Sequence, residues 1–146
     1  MNIDWVAGLI DGEGSFWVRQ PNKSSSFACG MTLQLRADDR EVLEEIRTFT
    51  GVGTIEDHNP PSARNRGVAP SVKWVVRRKA DVQALARLLD GRMHSKKKRD
   101  FELWAEAVDI HARSRYGDGM SERVLDIKRR MEEGRKYVSA DECDVC

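Results

Sequence analysis

From Phe27 to Arg36 the chain alternates with a period of two. Phe27, Cys29, Met31, Leu33 and Leu35 fall on one side, and Ala28, Gly30, Thr32, Gln34 and Arg36 on the other. One side is apolar and the other small or polar, the pattern of an antiparallel strand with one face on a core and one face open. Ser15 to Gln20 alternates in the same way, and Pro21-Asn22-Lys23-Ser24-Ser25-Ser26 between the two reads as a turn or loop. Gly53-Thr54-Ile55-Glu56-Asp57 is a shorter strand. Ser71 to Arg78 is a further one, with Val72, Trp74 and Val76 inward and Lys73, Val75 and Arg77 outward. His58 to Pro70 holds three of the four prolines and reads as a long loop.

Helical spacing fills the intervals. Residues 3–11 read as a short helix capped by Asn2 or Asp4. Asp38 or Asp39 caps a second, whose stripe is Val42, Leu43, Ile46 and Phe49 and whose end is Gly51. Asp81 caps a third through Leu89, with Val82, Leu85, Leu88 and Leu89 apolar. Phe101, Trp104, Ala105 and Val108 mark a fourth. After a loop at Arg113 to Gly119, a fifth starts at Ser121 with Val124, Ile127, Lys128 and Met131. The order α-β-β-α-β-β-α predicts an α+β fold: a four-stranded antiparallel sheet, helices on one face and the other face free. There is no internal repeat of domain length.

A chain of 146 residues is the size of one domain. No apolar run approaches a membrane span, and the N-terminus lacks a basic segment followed by an apolar one, so an intracellular protein is expected. Cys29 lies within a strand pattern while Cys143 and Cys146 lie at the C-terminus, which is not a disulfide framework. Cys143-x-x-Cys146 has zinc half-site spacing but no second pair, so a reduced tail is expected. His58, His94 and His111 show no ligand spacing. The net charge is only +1, yet its distribution is uneven. His58 to Ala80 contains no acid and includes Arg64, Arg66, Lys73, Arg77, Arg78 and Lys79; Arg92 and Lys96-Lys97-Lys98-Arg99 form a second basic run. A near-neutral chain with a basic face suits nucleic acid.

The most distinctive stretch is Val6-Ala7-Gly8-Leu9-Ile10-Asp11-Gly12-Glu13-Gly14, where an apolar helix rich in small residues runs into a carboxylate between two glycines and then a strand. It resembles the signature of the LAGLIDADG homing endonucleases, with Val6 in the first leucine position, Gly12 in the second alanine position and Glu13 in the place of the final aspartate. Leu43-Glu44-Glu45-Ile46 with Gly51-Val52-Gly53-Thr54-Ile55 is similar to the family's second helix and third strand. Ser95-Lys96-Lys97-x-x-Asp100-Phe101-x-x-Trp104 is similar to its lysine-bearing approach to a later helix. The resemblance covers residues 3–112. It implies an endonuclease domain at 1–112; beyond it, a C-terminal helical extension at 113–138 and an acidic, cysteine-containing, disordered tail at 139–146 are expected.

By this resemblance two signature helices pack together, so one signature per chain implies a homodimer, with Ala7, Gly8, Ile10 and Asp11 at its interface. Glu13 and the Gly12 carbonyl would hold Mg²⁺, or Mn²⁺ in its place. One or two carboxylates with substrate phosphates suffice for such an ion. Lys96 or Lys97 matches the family's active-site lysine; the sequence does not rank them, and Lys96 is preferred. The family often has a water-positioning glutamine near the end of the second strand, where Arg36 or Ala37 stands here.

The open sheet face is expected to contact double-stranded DNA through Ser15, Trp17, Arg19, Thr32, Gln34, Arg36, Thr54, Glu56, Lys73 and Arg77. Ala28, Gly30, His58, Ser71 and Val75 share that face. Arg19, Gln34, Lys73 and Arg77 are the candidates for base edges, Arg64 and Arg66 for phosphates. Trp17 has an alternative place in the core, and Glu56 an alternative role orienting an arginine. The implied activity is Mg²⁺-dependent cleavage of both strands of a long, near-palindromic DNA site, in a phage, bacterial or organellar mobile element. A cleavage-deficient relative acting as an RNA maturase or DNA-binding protein is the alternative. A domain that only dimerises predicts neither a basic open sheet nor an acid at the helix end.

Overall fold

The computed structural model describes residues 1–20, 27–113 and 122–135. The expected loop at Pro21–Ser26, the helix start at Ser121 and the cysteines 143 and 146 lie outside the described residues.

Helix α1 (Ile3–Glu13) starts on Asn2, whose side-chain oxygen accepts from the Trp5 amide at 2.9 Å. Asp4 pairs instead with Arg92 at 2.6 Å. The helix reaches two residues beyond the predicted end, so Gly12 and Glu13 form part of its last turn. Strand β1 (Gly14–Arg19) follows without an intervening residue. Gly14 permits this: a Cβ there would lie 2.9 Å from the Ile10 carbonyl oxygen and 2.8 Å from its Cγ2.

Strand β2 (Ala28–Arg36) pairs antiparallel with β1, and a single 3-10 turn (Ala37–Asp39) leads from it into helix α2 (Arg40–Thr50). Asp39 flanks that helix without a side-chain capping bond, and Gly51 ends it at φ 73°. Phe49, placed by periodicity on the apolar stripe, is 47% exposed; Leu43 and Ile46 carry the burial.

Strand β3 (Thr54–His58) and strand β4 (Ser71–Val76) complete a sheet of order β1-β2-β4-β3, antiparallel throughout. The expected long loop between them contains a short helix α3 (Pro61–Asn65), with Pro61 at its first position, where a missing N–H costs nothing. β4 stops at Val76 rather than Arg78, because Arg78 flanks helix α4 (Lys79–Leu89). Asp81 is therefore not the cap. Its carboxylate accepts from the Gly53 amide at 3.1 Å, fastening α4 to the start of β3.

Helix α5 (Lys97–Arg113) lays Phe101, Trp104, Ala107 and Val108 inward, with Ala107 in place of the expected Ala105. Phe16 of β1 meets Trp104 at 4.8 Å and Phe101 at 5.4 Å between ring centroids. Helix α6 (Glu122–Gly134) adds Val124, Ile127 and Met131, so one core runs from α1 to α6. One sheet face is thus fully covered by helices. The Cys29 thiol lies within that core, and burial pushes its pKa up to about 12, leaving it unreactive.

Candidate active site and nucleic-acid interface

Two acids stand two residues apart at the end of α1, in opposite situations. Asp11 is fully engaged: its carboxylate accepts from the Ser95 amide at 3.0 Å, the His94 amide at 3.2 Å and the Ser95 hydroxyl at 2.7 Å. Partial burial opposes its charge, but the bonds from Ser95 and His94 outweigh that and hold its pKa below the ordinary value. Glu13 is exposed and makes no hydrogen bond or ion pair among the described residues.

The Asp11 clamp draws the start of α5 against the end of α1. Lys97 consequently donates its ammonium to the Ile10 carbonyl at 3.2 Å, a favourable place for a cation at a helix C-terminus. Desolvation lowers its pKa, while Asp11, Glu13 and Asp100 pull the other way. Lys96 stays exposed and makes no hydrogen bond or ion pair among the described residues. The structure thus sets the two lysines apart: α5 begins at Lys97, whose ammonium reaches the end of α1 and feels the charge of Glu13.

A further cation comes from a place no pattern marked. Arg135, just past α6, bonds Asp100 at 2.9 Å and also donates to the Phe16 carbonyl. It fastens the last helix to β1 and to the first turn of α5, and its charge bears on Lys97. Its separation of 119 residues from Phe16 left no local signal in the sequence.

Of the residues assigned to a helix-to-helix interface, Ala7 and Ile10 are only 1% and 0% exposed and belong to the core, and Asp11 is spent within the chain. Gly8 is exposed as expected. The outward stripe of α1 is Trp5, Gly8 and Gly12, with open space above both glycines. Trp5, 48% exposed, shares the helical phase of Gly8 and Gly12.

The open sheet face is ordered in rows by strand register. Ser15, Thr32, Val75 and Thr54 form one row, Gln34, Lys73 and Glu56 another, and Arg36, Ser71 and His58 a third. Val75 points to this side but is only 4% exposed, flanked by two β-branched threonines. Trp17 is on the open face rather than in the core, with its indole N–H on the Thr32 hydroxyl at 3.0 Å and Arg19 stacked on its ring at 4.5 Å. Gln34 donates to Ser71 at 2.7 Å, Glu56 holds Arg77, and Arg36 pairs with Asp38 at 3.5 Å. Arg64 and Arg66 are exposed on and beside α3.

The profile of the family described as LAGLIDADG endonuclease matches residues 6–108. The chain belongs to the LAGLIDADG endonuclease family. No curated protein matches it. Among solved structures it is similar to the LAGLIDADG meganuclease I-AabMI bound to uncleaved DNA (TM-score 0.70, 22% identity, 88% of this chain and 44% of that one). It is also similar to I-SmaMI bound to uncleaved DNA with calcium ions (0.71, 19%, 97% and 47%). A third is the homing endonuclease I-TnaI (0.62, 18%, 92% and 99%). The chain thus spans less than half the length of the first two and nearly all of the third.

Against the LAGLIDADG pattern, the second strand lacks its water-positioning glutamine at the expected place. Arg36 ends β2 and Ala37 opens the 3-10 turn, while Gln34 is bonded to Ser71. No group of three His, Cys, Asp or Glu that could hold a metal is present among the described residues. The donor set at the end of α1 is nonetheless one that suits Mg²⁺: an unpartnered carboxylate and the terminal carbonyls of a helix, all oxygen.

Proposed function

We propose that this chain is a homodimeric, divalent-metal-dependent, site-specific DNA endonuclease acting on a long, near-palindromic site inside the cell. The observation that carries the proposal is Glu13, an exposed carboxylate without an intramolecular partner at the end of a helix whose outer stripe is Trp5, Gly8 and Gly12. Close packing of two such stripes brings two Glu13 side chains together, supplying the ligands that one chain lacks. The near-complete coverage of I-TnaI and the half coverage of the longer relatives support one half-site per chain.

Glu13, with the Gly12 carbonyl, would hold Mg²⁺, for which Mn²⁺ would substitute. Such an ion would supply an acidified water and neutralise charge at the scissile phosphate. Lys97 adds a positive charge beside that phosphate, partly desolvated and aimed by its bond to Ile10. Asp11 positions the lysine by holding Ser95. The open sheet enters the major groove, and Arg64 and Arg66 contact flanking phosphates.

The test is cleavage of duplex DNA carrying the sequence that flanks the gene, with Mg²⁺ and then with Ca²⁺. The expected result is double-strand cleavage with Mg²⁺ alone, lost in Glu13→Gln while binding persists. Binding indifferent to salt would remove the groove contact, since neutralised phosphates give a steep salt slope. A monomer by size exclusion in the presence of DNA would remove the dimer. Arg36 in place of glutamine favours a second reading, a relative that binds without cutting; binding with no cleavage under either metal would establish it.

A further inference from the structure

Three arginines stand on the open sheet face, and two are already held by acids: Arg77 by Glu56 and Arg36 by Asp38. Arg19 has no carboxylate partner among the described residues; its guanidinium lies 4.5 Å from the centre of the Trp17 ring. The ring itself is tightly seated. It lies across Gly30, its register partner on β2, so closely that a Cβ at Gly30 would come within 2.1 Å of Trp17 Cζ2. Its N–H is fixed by the Thr32 hydroxyl at 3.0 Å, one diagonal step along β2. A large aromatic thus lies on a sheet face that is otherwise mainly polar, and the residue beneath it is one with no side chain to obstruct it.

We infer that Trp17 is a positioning residue, a platform that pre-sets Arg19 to read a guanine in the major groove. A guanidinium stacked on an aromatic keeps its plane and leaves its donor fork free at the edge. That fork matches the O6 and N7 acceptors of guanine, the commonest specific contact to a base. Pre-setting removes part of the entropy that a long side chain loses on docking. Beside the pair opens a cleft of about 460 Å³ lined by Trp17, Arg19, Gln20, Ala28 and Lys128. Glu132 of α6, which lines a neighbouring cleft together with Arg19, is engaged with Lys128 at 3.7 Å.

This inference rests on the DNA-binding reading above, and the experiment separates the two. Wild type, Arg19→Leu, Trp17→Leu, Trp17→Phe and Thr32→Val are each used to select from a pool of randomised duplex DNA, and base preferences are read column by column. Wild type should enrich one guanine per half-site that Arg19→Leu loses. Trp17→Leu should weaken that column by about tenfold or more and leave the others. Trp17→Phe, which keeps the ring face, should restore most of it. Thr32→Val, which frees the indole while conserving volume, should weaken the same column less, and it serves where circular dichroism shows Trp17→Leu unfolded. An enriched site whose guanine column survives Trp17→Leu, or whose columns all fall together, overturns the platform alone. A wild-type pool with no enriched sequence overturns the DNA-binding reading.

Discussion

The same four strands present two faces built on different rules. On the covered face Phe16, Met31, Leu33, Val72 and Trp74 are buried to within 1%, each bounded by helices, and space decides what fits. On the open face residues are joined mainly by polar contacts: Gln34 to Ser71, Glu56 to Arg77, Trp17 to Thr32. The first face stores stability and the second stores geometry. A surface can therefore be highly ordered without contributing much to the free energy of folding, since exposed pairs are worth little.

The comparison breaks most readily at Trp74. Trp74→Ala removes the largest buried side chain of β4 and its bond to the Val52 carbonyl, and should cost about 3–5 kcal/mol in denaturant unfolding. DNA binding should fall with the fold. At the junction of the two faces, Asp11→Ala should cost about 1–2 kcal/mol, because the amides of His94 and Ser95 lose their acceptor. Its depressed pKa fixes the sign with pH: the Asp11 contribution is complete above the ordinary aspartate range near about pH 4 and is lost as pH falls through the lower folded value. Urea midpoints followed into acid should therefore drop further for wild type than for Asp11→Ala. Lys73→Ala, on the open face between Gln34 and Glu56, should leave the urea midpoint in place and lower the salt slope of DNA binding by about one. Glu13→Gln should have the smallest effect on stability, none in the unfolding curve, with its consequence confined to cleavage.

What sequence could reveal follows the same division. Alternation in β2 and β4 showed both faces, because successive side chains of a strand point to opposite sides. It could not show that Val75, though outward, would be enclosed by threonines on the neighbouring strands. The signature stretch pointed to the candidate site, yet its composition of small and apolar residues concealed which side of α1 turned inward. Ala7 and Ile10 went to the core, while Trp5 stayed out. That Lys97, and not Lys96, reaches the end of α1 depends on the start of α5, which is held by Asp11 on Ser95 from far away in the chain. Arg135 acts across the whole length of the domain, beyond the reach of any periodicity.

The Asp11–Ser95 clamp also bears on when the site comes into being. Its partners are 84 residues apart, so it closes a loop longer than half the chain. Contacts of that span are late and slow to form, after the entropy of ordering the intervening segment has been met. Between the signature helix and Lys97 in chain order lie all four strands and α4, so their contact waits on the ordering of that whole segment. Folding intermediates that lack this contact therefore also lack the juxtaposition of Lys97 with the end of α1 and Glu13.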